Sequence, residues 1–387
     1  MGTTGDFRAR MAAAMLSEDF QAALDRITKK KKEIASMADV QKDIITDKLE
    51  DTADYIDNFG PISTLKDYFV ETKGFSEGDW SEIEKVVQKL DAPSIDAFVQ
   101  YTKNPVKIDY FTSMTKPTNV INQLEKDHNL PKAVTSKIFD KEGKMKAGKG
   151  VGRGELFLGF MVDGATNASV GDVNVNGQAY EVKGKEARLN TMNGFSNGGQ
   201  AIKSFFKALG NLGGGKEKAI YSQLAAEFGA AKKENIQAYN FYKGKNKITG
   251  NQGSRFYDLI AKANELELDK DLIIQAIAKN VFTSGVWQNG SDLEGEVIKA
   301  LQPLKKPYNL GDDSMMNYKL MWVNIKYYQK EEPFIGIFII LPGTGRMAYL
   351  HVDKTKDKSD WLSKNVKYTQ PSWQDNPTSN CWKITLK

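Results

Sequence analysis

A chain of 387 residues, 40% of them hydrophobic, is long enough for two or three domains and a substantial buried core. Cys381 is the only cysteine and His128 and His351 the only histidines, which rules out an internal disulfide and disfavours both a zinc centre of the usual Cys/His type and a Cys–His or Ser–His nucleophile pair. Carboxylate chemistry remains, and a net charge of only +5 is too mild to name a partner by itself.

From the N-terminus, residues 11–16 are apolar but short and run into Ser17-Glu18-Asp19, so no signal-peptide pattern is expected. The longest apolar run, 334–341, falls short of the roughly 18 residues that cross a bilayer, so the reading is a cytoplasmic protein with no membrane partner. Residues 17–37 place Phe20, Leu24, Ile27 and Ile34 at helical spacing, with Lys29 to Lys32 as a solvated face. Ser76-Glu77-Gly78-Asp79 reads as a capping box for the helix that follows. Asp91-Ala92-Pro93 stops that helix, and 94–101 forms another. Residues 1–130 are thus expected to be an N-terminal helical domain without a catalytic constellation, serving docking, oligomerisation or DNA contact.

Past a break at Asn129-Leu130-Pro131, residues 132–153 carry seven Lys or Arg, among them Lys149 and Arg153, against Asp140 and Glu142. A Gly-punctuated basic stretch of this kind suits either a solvated loop or the path of a phosphate backbone. Gly152-Arg153-Gly154-Glu155 then opens the apolar stretch 156–162, read as a helix with a Glu at its start.

The most informative segment is 171–183. Asn176-Gly177 between alternating apolar residues is a strong hairpin signal, because a type I′ turn needs positive φ at both central positions. With that two-residue loop, Val175 pairs with Gln178, Asn174 with Ala179, Val173 with Tyr180 and Asp172 with Glu181. Side chains alternate, so Lys183 shares the face of Asp172 and Glu181, while Val173, Val175, Tyr180 and Val182 take the opposite, core-facing side. Directly opposed residues have Cβ atoms about 4.5–5.5 Å apart, and like charges there destabilise a sheet. A cation between them removes that cost. Taken singly, each group has a structural reading: Glu-x-Lys as a solvated strand face, Asp172 as a turn cap, Glu155 as a helix-start acid. Their order and register argue for more.

Asp172, Glu181-x-Lys183 and the upstream Glu155 resemble the signature of the PD-(D/E)XK nuclease superfamily: a helix with a Glu, a strand with the Asp, a strand with Glu-x-Lys, then a helix. The resemblance covers roughly residues 152–209 and departs from the pattern at Gly171, where Pro is usual. It implies a restriction-endonuclease-like mixed α/β core and a catalytic set of Glu155, Asp172, Glu181 and Lys183. Mg2+ or Mn2+ would be held by Asp172, Glu181 and Glu155, and Lys183 would orient or deprotonate a water. Lys185, Arg188, Gln200, Lys149 and Arg153 are the weaker candidates for contact with DNA.

Further on, 198–209 reads as a helix, 210–215 as a loop, 218–232 as a helix, and 243–255, with Lys243, Lys245, Lys247 and Arg255, as a polar loop. Residues 318–328 and 334–341 alternate or run apolar and read as a hairpin, followed by a turn at 342–346 and a strand at 347–352. Trp361, Trp373 and Trp382 read as packing residues. The core is therefore placed at 131–300, and 301–387 is taken as a β-rich extension of its sheet or a separate cap. The function expected is a metal-dependent DNA endonuclease, a homodimer if it cuts both strands. The alternatives are an exonuclease of the same fold, or a phage structural or assembly protein that binds DNA through a nuclease-like core. The general character of the sequence resembles phage-encoded proteins, which would place it in the host cytoplasm or the virion.

Overall fold

The computed structural model describes residues 59–144, 150–167, 172–190, 197–229, 239, 244–245, 252–253, 255–373 and 380–387, together with 25–26 and 28–29. The helix expected over 17–37 lies almost wholly outside the described residues, as do Lys149 and most of the loop 243–255. The chain divides into two compact units. One comprises Met1–Pro105, Leu124–Ile138 and Gly143–Gly150, and the other Val106–Gln123, Phe139–Glu142 and Val151–Lys387.

What is described of the first unit is largely helical. Ser76 caps the helix Glu77–Val87: its Oγ accepts the Asp79 N–H at 3.2 Å and donates to the Asp79 carboxylate at 2.6 Å, which supplies the N-cap bond that the sequence spacing announced. Asp91 accepts the Ser94 N–H at 3.0 Å and starts Ala92–Lys103 with Pro93 in the first turn. Phe69, Phe75 and Trp80 pack ring on ring beneath these helices.

The second unit is mixed α/β. The strands of the described residues, numbered along the whole chain, are β1 (Thr118–Asn119), β2 (Gly143–Lys144), β3 (Gly150–Val151), β4 (Ala165–Asn167), β5 (Val173–Val175), β6 (Gln178–Lys183), β7 (Ala187–Arg188), β8 (Gly244–Lys245), β9 (Gln252–Gly253), β10 (Gly336–Leu341), β11 (Arg346–His351), β12 (Val366–Thr369) and β13 (Lys383–Leu386); β2 falls in the first unit. The main sheet has six strands in the order β1-β11-β10-β6-β5-β4, and β12-β13-β7 form a small antiparallel sheet. All main-sheet pairs are antiparallel except β6 with β10, which run parallel with Ile337 beside Glu181 and Ile339 beside Lys183. β10, Gly-Ile-Phe-Ile-Ile-Leu, is buried on both faces, as its unbroken apolar run requires. The C-terminal strands thus extend the sheet that holds the hairpin.

Residues 318–328 are not a strand. They belong to a 22-residue helix, Leu310–Glu331, begun by Asn309, whose side chain accepts the N–H groups of Gly311 and Asp312 at 2.9 and 3.2 Å. The hairpin expected between 318–328 and 334–341 is instead formed by β10 and β11, across the turn at 342–346. This helix is buried over most of its circumference: Met316, Leu320, Met321, Val323, Ile325, Tyr327 and Tyr328 all lie in the core. That all-round burial hides the 3.6-residue period. Its core neighbours include Ile337, Ile339, Ala348 and Leu350 of the sheet. Trp373 and Trp382 pack around Phe282 in the same core, as expected of packing residues.

Candidate metal and phosphate site

The hairpin forms in the register read from the sequence. Val173 opposes Tyr180, Asn174 opposes Ala179 and Val175 opposes Gln178. Asn176 and Gly177 take φ of 53° and 81°, and the Asn174 side chain accepts the Gly177 N–H at 2.9 Å. The ladder stops one pair short of Asp172 and Glu181. There Asp172 donates its own N–H to Tyr180 O at 2.9 Å, and its Oδ2 accepts the Val182 N–H at 2.7 Å. The carboxylate therefore continues the ladder in place of a backbone carbonyl, which fixes it beside the strand that carries Glu181.

The face holding Glu181 and Lys183 is not open to solvent. Alternation along β6 puts both on the same side as Ile337 and Ile339 of β10, the side that Tyr328 of the helix Leu310–Glu331 reaches. The Glu181 side chain is only 2% exposed and that of Lys183 13%. Both faces of the hairpin are thus buried, the apolar one around Val173, Val175 and Tyr180 and the charged one around Glu181 and Tyr328.

Tyr328, which the sequence reading did not single out, descends from that helix into the charged face. Its hydroxyl donates to Glu181 Oε1, accepts from Lys183 Nζ at 3.0 Å, and its ring lies 4.9 Å from the same ammonium. Lys183 also pairs with Glu181 Oε1. Glu181 Oε2, buried, has no hydrogen-bond partner among the described residues. An orphaned buried acceptor costs about 1–3 kcal/mol, and more when charged.

Burial and the Glu181 charge push the Asp172 carboxyl up to about 8, with Lys183 opposing. Burial raises Glu155 as well, again with Glu181 adding and the Gly152 backbone N–H and Lys183 opposing. For Lys183, burial alone would lower the value, but Glu181 and Asp172 outweigh it and hold the ammonium above its usual range. Burial and Glu181 drive the Tyr328 hydroxyl far upward, so it stays protonated. Glu332, one turn beyond Tyr328, is raised by burial and by Glu181. Asp172 just before β5, Glu181 and Lys183 on β6, and Tyr328 and Glu332 at the end of the long helix therefore share one electrostatic neighbourhood, which Glu155 joins.

Glu155 begins the helix Glu155–Met161 after Gly154, which has φ of +83° and packs so closely that a Cβ would lie 2.7 Å from Ile340 Cδ1 and 3.1 Å from Val182 Cγ1. At Gly152 the Glu155 carboxylate folds back into the space that a Cβ would take. Gly154 seats the start of the Glu155 helix directly on β6 and β10. Among the described residues no three His, Cys, Asp or Glu side chains converge closely enough to form a metal cage. Of the expected ligands, Asp172 is tied to β6, the strand of Glu181, through the Val182 N–H, and Glu155 feels the Glu181 charge and acts on Asp172 in turn. The pair Asp172 and Glu181 matches magnesium, which takes one or two carboxylates and keeps several waters. The repelling pair and the unpartnered Glu181 oxygen are the observations that fit a cation.

The weaker DNA candidates do not join this cluster. Lys185 and Arg188 are exposed on or beside β7, and Gln200 is exposed in the first turn of Gly198–Leu209, where its backbone N–H is taken by Asn197. Arg153 is ion-paired with Glu142 at 3.1 Å, and Lys149 lies outside the described residues. His351 is committed to a turn, its Nδ1 accepting the N–H groups of Asp353 and Lys354. No family model, no curated protein and no solved structure matches this chain.

Proposed function

We propose that this protein is a metal-dependent DNA endonuclease whose core is of the PD-(D/E)XK kind that its sequence resembles. The observation carrying the reading is the partly buried Asp172, tied to β6 through the Val182 N–H, next to the buried Glu181, with Lys183 beside them and one Glu181 oxygen left without a partner among the described residues. The order helix with Glu155, strand after Asp172, strand with Glu181 and Lys183, helix Gly198–Leu209 supports it. So does the mild basic excess.

Asp172 and Glu181 would hold Mg2+ or Mn2+, with Glu155 reaching it through a water. A bound divalent ion supplies Lewis acidity toward a phosphoryl oxygen and a water of lowered pKa. Asp172 is held in place by the Val182 N–H, so its carboxylate is oriented before any ligand arrives. Lys183, kept protonated by the carboxylates around it, donates N–H groups to the phosphate and offsets charge as the P–O bond breaks. In this setting Lys183 is a charge donor rather than the base.

The test is an incubation of the purified protein with covalently closed and with linear DNA, with Mg2+ and with EDTA. Cutting of closed circles that EDTA abolishes is the expected result. Asp172→Ala and Glu181→Ala should each lower the rate by on the order of 10²-fold or more, and Lys183→Ala should do so without loss of metal binding. Cutting of linear DNA alone makes the protein an exonuclease. Binding without cutting of either form leaves a DNA-binding assembly protein, in which the ion pair is structural.

A further inference from the structure

We infer that Tyr328 is a positioning residue for Lys183, holding the ammonium in place when a divalent cation takes over the Glu181 carboxylate. The inference rests on the nuclease reading above.

Glu181 Oε1 receives two hydrogen bonds, one from Lys183 and one from the Tyr328 hydroxyl, and Lys183 Nζ also donates to that same hydroxyl at 3.0 Å. The three groups form a closed triangle in a site where Glu181 is almost fully buried. A cation arriving at Glu181 competes with the ammonium for the same anionic group, and the like charges repel at short range. Lys183 must yield. Without another anchor it would either swing away from the phosphate or remain on Glu181 and block the ion.

Tyr328 supplies that anchor in two ways. Its hydroxyl is an acceptor independent of Glu181, and its ring face lies 4.9 Å from Nζ. The ring is fixed in turn by Phe334 at 5.1 Å and by burial of the helix on either side. Tyr328 sits three residues before the end of a 22-residue helix whose packing sets its position, so the anchor does not depend on the metal. A structural hydroxyl serving only to satisfy its own burial needs one partner. This one is placed against both members of the ion pair.

The experiment titrates Mn2+ alone against thermal unfolding of the full chain, with cleavage rates measured at saturating Mn2+ in parallel. Tyr328→Phe keeps the ring and removes the hydroxyl. Its Mn2+ midpoint should rise about fivefold or more, the size that coupling between contacting residues produces, and its kcat should fall about tenfold with KM for DNA nearly unchanged. Tyr327→Phe is the control, since Tyr327 loses a comparable bond to Gln288 O at 2.7 Å on the neighbouring helix position, away from the site. It should lower Tm but leave the Mn2+ midpoint and kcat alone. In a Lys183→Met background the midpoint shift caused by Tyr328→Phe should vanish, because the hydroxyl then has no ammonium to hold. A midpoint and kcat of wild-type size in Tyr328→Phe overturn the inference, as does a shift that persists without Lys183 or appears equally in Tyr327→Phe. A wild-type protein that gains no stability from Mn2+ and cuts no DNA overturns the nuclease reading itself, and this inference with it.

Discussion

At the scale of single residues, the charged face of β6 is held together by compensation. A buried carboxylate, a partly buried one and a partly buried lysine share this face, and the ammonium, the tyrosine hydroxyl and the Val182 N–H balance the acids. Asp172, raised to about 8 by burial and by Glu181, binds its proton more tightly in the folded state than in the unfolded chain, where a value near 3.9 is usual. The sign follows: the metal-free fold is favoured while Asp172 is protonated and loses that support as pH rises from about 4 to about 8. In EDTA the Tm should therefore fall across that interval, and Asp172→Asn should flatten the dependence. A Tm in EDTA that is level or rising with pH would remove the buried repulsion from the account. Asp172, Glu181 and Lys183 were legible because a two-residue turn fixes cross-strand register by counting. Tyr328 was not, because it reaches the site from 145 residues away in sequence, and no local spacing announces it.

At the scale of elements, the sharpest contrast is between the hairpin and the helix Leu310–Glu331. The hairpin is specified by two residues with positive φ, so Gly177→Ala should strain the turn even though a Cβ there meets nothing within 4 Å. A loss of about 1 kcal/mol in urea unfolding is expected from the left-handed backbone alone, and an unchanged midpoint would show that the turn relaxes. The long helix was misread for a physical reason. Its sequence is rich in Val, Ile, Tyr and Trp, which favour strands, and it is buried on most sides, so no polar stripe marks the helical period. Its start was visible in principle, since Asn309 precedes Gly311, Asp312 and Asp313, the pattern of a capped and acid-favoured first turn. The shorter helices with amphipathic faces and clear caps, Glu77–Val87 and Gly198–Leu209, fell where their sequences put them.

At the scale of the whole molecule, the mixed sheet joins segments that a linear reading keeps apart. β6 takes its parallel partner from residues 336–341, and the tyrosine that meets its charged face from residues 310–331. Residues 131–300 expressed alone would leave β6 with an unpaired edge and Glu181 with Lys183 open to water. Such a fragment should show no cooperative unfolding and no Mn2+-dependent rise in Tm, whereas the full chain should show both; a folded, metal-responsive fragment would mean that the later strands are dispensable. That parallel union also has a temporal consequence. With translation running at roughly 5–20 residues per second, the ribosome delivers β6 many seconds before β10 exists, so the nascent polypeptide carries its acids and lysine unassembled until nearly all of it has emerged. The charged cluster of β6 is therefore assembled only late in synthesis, when its parallel partner and the helix that carries Tyr328 have both been made.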